Sequence, residues 1–173
     1  MKFVVTIVLF LALVATTMAG EIPPTGSFAF TFSVELPGQP DAMYDALTGD
    51  ISGWWDHTMS GAPLRLEIEA RPGGRFIEVF DESGDGVVHA VVTGAQRGKM
   101  LRLDGPLGLA GHAIHMVTTY ELEPMEGGRT RLTVSVHAAG EIQDGWAEVV
   151  EKTWRHFIEE QFVPWVSEGN SSR

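Results

Sequence analysis

Between Asp144 and Trp165 large apolar side chains return at three- and four-residue spacing: Trp146, Val149, Val150, Trp154, Phe157, Ile158, Phe162 and Trp165. Glu148, Glu151, Lys152, Arg155, Glu159 and Glu160 fill the intervening positions. That period predicts a long amphipathic helix with a strongly aromatic stripe. Such a stripe must be buried against a broad apolar surface. Pro164 is expected to kink or end the helix near its last turn.

The rest of the chain supplies that surface as strands. From Ser27 to Leu36 the alternation is strict, with Phe28, Phe30, Phe32, Val34 and Leu36 on one side. This is the pattern of a half-buried strand. Pro37-Gly38-Gln39-Pro40 breaks it, and Pro40 suits the first turn of a helix carrying Met43, Tyr44 and Leu47. Gly49 ends that helix, and Asp50 is expected to cap a second short one running into Trp54-Trp55. A strand around Leu64, Leu66 and Ile68 follows, then a type II turn at Arg71-Pro72-Gly73-Gly74. Further strands are expected at Arg75–Asp81, Gly86–Thr93, Met100–Leu103, His112–Glu123 and Thr130–Ala138. Short glycine-rich connections make them an antiparallel meander.

The first nineteen residues stand apart. Met1-Lys2 is a short basic start, Phe3 to Ala15 is apolar save for Thr6, and small residues flank a cut after Ala19. This is the layout of a secretory signal peptide, and it places the protein outside the cytosol, periplasmic or secreted. The apolar run is short for a bilayer span, so no stable membrane span is expected after cleavage. Residues 20–26 read as a linker, 27–166 as one domain and 167–173 as a disordered tail.

Composition narrows the function classes. The chain has 12 Lys and Arg against 23 Asp and Glu, a formal charge of −11, and cleavage makes it one unit more negative. A face that binds phosphates is basic, so nucleic acid is an unsuitable partner. With no cysteine, thiol catalysis, disulfides and thiolate metal sites are excluded.

The order of one strand, two short helices, a strand meander and a long C-terminal helix resembles the helix-grip fold. Local strings are similar to one branch of the SRPBCC or START-like superfamily, near the C-terminal domain of the activator of heat-shock-protein-90 ATPase. They are Tyr44-Asp45-Ala46-Leu47-Thr48, Trp54-Trp55, Ala70-Arg71-Pro72-Gly73-Gly74-Arg75-Phe76, Gly98-Lys99-Met100-Leu101-Arg102-Leu103, Gly105-Pro106-Leu107-Gly108 and Glu126-Gly127-Gly128-Arg129-Thr130-Arg131-Leu132-Thr133. They occur in the family's order from about Ser27 to Trp165. The resemblance implies an α+β fold, with a curved antiparallel sheet of about seven strands wrapped around the long helix and a cavity between them. Members include hydrophobic-ligand carriers, polyketide cyclases and co-chaperone domains, so the fold does not choose the activity. The signal peptide argues against the co-chaperone role.

Candidate cavity residues follow from inward positions and chemistry. Trp54 or Trp55, Phe76 or Phe80, Met116 and Trp154 offer apolar surface; His89, His112 and Tyr120 offer polar groups. Trp54 and Trp55 cannot both face inward equally. His112 is in register with Ile114, Met116 and Tyr120, and so is expected to be the more inward of the pair His112 and His115. His89 has an apolar face on either side. Asp56 and His57 form an adjacent acid–base pair just after the tryptophans, expected as a solvated loop pair. The stretch Gly105–Gly111 suits a mobile flap. No nucleophile elbow, P-loop or dinucleotide fingerprint occurs, and no cofactor and no metal are expected. The leading expectation is an exported domain binding a small hydrophobic or aromatic molecule. A cyclase- or aromatase-like enzyme with a cavity His or Tyr as general acid–base, and a partner-binding module with a filled cavity, are the alternatives.

Overall fold

The computed structural model describes residues 23–170. The expected signal peptide, the first residues of the linker and the last residues of the tail lie outside that range. Eight strands form one antiparallel sheet: β1 (Gly26–Leu36), β2 (Gly49–Asp50), β3 (Arg65–Ile68), β4 (Arg75–Val79), β5 (Gly86–Gln96), β6 (Met100–Asp104), β7 (Ile114–Met125) and β8 (Arg129–Gly140). Their spatial order is β1-β8-β7-β6-β5-β4-β3-β2, so the sheet is open and β1 is returned to the edge beside β8. The expected helix-grip arrangement is present, with one strand more than counted from the sequence.

Alternation dictates the faces. On β1, Phe32 and Leu36 are buried and Phe28, Phe30 and Val34 half-buried, while Ser27, Thr31, Ser33 and Glu35 are exposed. The outer hydroxyls pair across the strands, Thr31 with Ser135 at 3.1 Å and Ser33 with Thr133 at 2.9 Å. On the inner face of β7, Ile114, Met116, Thr118, Tyr120 and Leu122 are buried and His115 points out.

Two β-bulges bend this meander. Phe76 opposes Ala90 but Ile77 opposes Val88, which leaves His89 as the extra residue on β5. A second slip leaves Thr93 unpaired between Val92 and Gly94. A bulge re-aims side chains, and here it buries His89 and Ala90 side by side, where a regular strand would send one outward.

Helix α1 (Pro40–Leu47) begins at Pro40 and buries Met43, Tyr44, Ala46 and Leu47. The expected second short helix does not form. Gly49 and Asp50 pair with β3 instead, and Asp50 Oδ1 accepts bonds from the Ser52 N–H (3.0 Å) and hydroxyl (2.7 Å). Asp50 therefore caps a turn that delivers Trp54 and Trp55 to the core.

The C-terminal helix starts as α2 (Trp146–Arg155), passes through a π-helical stretch (His156–Phe162) and ends as α3 (Val163–Ser167). Val150, Trp154, Ile158, Phe162 and Val166 are buried at successive four-residue steps. Each such step overshoots an ideal α-helical turn by about 40°, so the stripe would drift off the sheet. The π-helical stretch, closed by the Val163 N–H on the Ile158 carbonyl, holds more residues per turn and turns the drift back. Pro164 stands in the last helical turn, as expected. It lies just past the π stretch, and the helix runs on to Ser167, three residues beyond it. Of the tail, Asn170 is tied to the Trp165 carbonyl at 2.9 Å.

Candidate functional site

A cavity of about 330 Å³ lies between the inner face of the sheet and α2. Its floor is Met116 from β7 and His89 from β5, and its helix wall is Val149, Val150, Thr153, Trp154 and Phe157. Trp55 to Met59 close one side and the Pro106–Leu109 turn the other. The size is at the lower end of small-molecule sites.

The two tryptophans divide their roles. Trp55 faces the cavity, stacked on Phe157 with ring centroids 3.9 Å apart and edge-on to Phe76 at 5.0 Å. Trp54 packs away from it on Phe162 at 4.9 Å. Phe76 is fully buried behind Trp55 and touches the His89 ring, so it backs the wall without lining it. Phe80 follows β4 and is half-buried away from the cavity. Tyr120 is buried beneath Trp154; burial pushes its phenol well above the ordinary range, and the hydroxyl stays protonated.

His112 is not inward. The strand begins two residues later, at Ile114, so the counted register does not apply to it. Its exposed ring packs edge-on against Trp146 at 4.9 Å, with Nδ1 3.6 Å from Glu141. The sequence candidates brought together at the cavity are thus Trp55, His89, Met116 and Trp154.

One residue central to this wall was missed in the sequence. Glu78 is fully buried on β4 and its carboxylate accepts four hydrogen bonds. Oε1 takes the Ser60 N–H at 2.8 Å and the Ser60 hydroxyl at 2.9 Å; Oε2 takes the Met59 N–H at 2.9 Å and faces His89 Nε2 at 3.0 Å. Burial alone would raise its pKa. The four hydrogen bonds outweigh burial and hold the carboxyl below its ordinary value, so it is ionised at neutral pH. The signal was available: Glu78 shares strand parity with Phe76, which places a carboxylate on the inner face.

The flap expected at Gly105–Gly111 is a single 3₁₀ turn, Leu107–Leu109. Leu107 is buried yet has φ of +51°, the only non-glycine residue with positive φ among the described residues. That conformation is strained for a leucine. The strain is held where the side chain closes the cavity.

The family model for "Activator of Hsp90 ATPase homolog 1-like protein" matches residues 38–164. The chain belongs to this family. Its fold is similar to that of a protein of unknown function from Staphylococcus aureus, at 13% identity and TM-score 0.61, covering 86% of this chain and 98% of that one. A protein from Rhizobium loti is similar at 20% identity and TM-score 0.59, over 79% and 95% of the two chains. CalU16 from Micromonospora echinospora is similar at 12% identity and TM-score 0.56, over 84% of each. No curated protein matches the chain. These likenesses establish the helix-grip fold and leave the function to the site.

Proposed function

We propose that this family member binds a small, mainly hydrophobic molecule carrying one polar group in the cavity between the sheet and the C-terminal helix. The supporting observation is a 330 Å³ cavity with mostly apolar walls and one buried imidazole, His89, oriented by Glu78. Trp55, Met116, Trp154 and Phe157 supply apolar burial, and His89 supplies the hydrogen bond that fixes orientation. From the first nineteen residues we infer that the protein works after export. No helix among the described residues is long and apolar enough to cross a membrane.

The test is native mass spectrometry of protein purified from its source, with extraction of whatever is bound, and thermal melts across a hydrophobic-ligand panel. A recovered apolar molecule whose retention falls in Trp154→Ala and His89→Phe supports the reading. No recovered molecule together with no melting shift overturns it.

The His89–Glu78 pair favours one second reading, of cyclase or aromatase type. An imidazole backed by a carboxylate has the arrangement of a general acid–base. Conversion of a bound polyketide-like compound that His89→Gln abolishes, with binding retained, would assign it.

A further inference from the structure

At the rim of the cavity three ligating side chains from distant parts of the chain converge. Asp56 and His57 follow the tryptophan pair, and His156 opens the π-helical stretch. Asp56 Oδ2 lies 2.7 Å from His156 Nε2 and Asp56 Oδ1 2.8 Å from His57 Nδ1. One ligand atom from each residue falls within 4.8 Å of the other two, the one such group among the described residues.

The hydrogen bonding around His156 points to a cation. Its second nitrogen, Nδ1, is 2.8 Å from Glu160 Oε2, one helical turn along. A neutral imidazole offers one N–H and one lone pair. With a carboxylate facing each nitrogen, one contact sets a lone pair against an anion unless a second positive centre sits there. That centre is either a second proton or a metal ion. Glu160 stands where the outer carboxylate does in carboxylate–histidine–metal arrangements, holding Nδ1–H and leaving Nε2 for the ion.

We propose that Asp56, His57 and His156 bind a divalent transition-metal cation of the zinc type, with Glu160 positioning His156. Two imidazoles and a carboxylate suit such an ion. Tetrahedral ligands at bond lengths of about 2.0–2.1 Å stand about 3.3 Å apart. That separation lies between the hydrogen-bond distances present and the 4.8 Å span of the group, so small side-chain movements complete the site. Three protein ligands leave a position open, and the side chains of His57 and Asp56 are 59% and 39% exposed. His57 also lines the cavity, which puts the ion at its mouth. The proposal does not depend on what the cavity holds.

The test is titration of untagged, metal-stripped protein with Co²⁺, followed in the visible spectrum, and with Zn²⁺ by calorimetry. One ion per chain is expected. His156→Gln and Asp56→Asn should each weaken binding at least tenfold, and Glu160→Gln by about 10- to 100-fold. His57→Gln, at the most exposed of the three ligands, reads the same loss with the least effect on folding. His115 supplies the control: it faces Asp104 at 3.0 Å on the outer surface with no third ligand, and His115→Gln should change nothing. The proposal is overturned if neither ion binds at millimolar concentration, if His156→Gln binds as the parent does, or if His115→Gln weakens binding equally.

Discussion

His89 Nε2 stands 3.0 Å from Glu78 Oε2, and both side chains are buried, His89 lining the cavity and Glu78 behind it. The carboxylate also anchors Met59 and Ser60, so it joins β4, the bulge on β5 and the loop beside the cavity. Glu78→Ala would leave two backbone N–H groups, a hydroxyl and an imidazole without their acceptor. Met59 and Ser60 are exposed, so water can replace their acceptor, but the orphaned His89 imidazole is buried, and a loss of about 1–3 kcal/mol is expected. Glu78→Gln keeps an acceptor and should lose less. Urea unfolding of both variants measures this; a loss below about 1 kcal/mol for Glu78→Ala would show that the network holds nothing in place.

The same carboxylate makes stability depend on pH. Its folded-state pKa is lower than the ordinary 4.5, so the unfolded chain binds more protons as pH falls. The stabilisation is fully present above about pH 4.5 and is lost as pH falls through the folded-state value. Melting temperature should decline on acidification below pH 4.5, and Glu78→Gln should decline less steeply over that range. Parallel curves for the two proteins would contradict the assignment.

The strand meander, β1 and the aromatic helix are legible in the sequence because each rests on a strict period. The residues that shape the site are not. His89 is turned inward by a bulge, and a one-residue slip leaves no trace in a string whose two faces are both apolar. The β7 period, carried back to His112, runs past the true start of the strand at Ile114. Asp56 and His156 are 100 positions apart, and only the docking of the helix brings them together. Glu78 alone was readable from parity. Apolar patterning, applied as a search for hydrophobic inner positions, passes over a charged one.

Gly105 is required by close approach. A Cβ there would lie 2.5 Å from both the Ala90 Cα and the His89 carbonyl oxygen, which are backbone atoms of β5. They cannot swing aside as a flexible side chain would, so Gly105→Ala must shift β5 at the bulge or the turn that closes the cavity. Overpacking of this kind costs about 1–3 kcal/mol, occasionally more. The readout is a lower urea midpoint, with changed amide resonances for His89 and Ala90 in heteronuclear NMR. An unchanged spectrum would mean that the turn, not the bulge, gives way.

Leu107 carries two opposed contributions, and its substitutions should separate them. Its side chain is buried at the cavity mouth, so Leu107→Ala loses about 2–5 kcal/mol of packing. Its backbone is left-handed at φ +51°, which costs an L-residue about 1–2 kcal/mol and costs glycine little. Leu107→Ala keeps that strain, whereas Leu107→Gly removes it along with the side chain. At an ordinary position glycine is less stable than alanine by about 0.5–1 kcal/mol. Here the order should invert, with Leu107→Gly melting above Leu107→Ala and both below the parent. Thermal unfolding of the three proteins decides it, and the ordinary order would place Leu107 in a relaxed turn. Both variants also enlarge the mouth of the cavity. A hydrophobic probe such as 8-anilinonaphthalene-1-sulfonate should therefore enter faster in each than in the parent, in stopped-flow fluorescence.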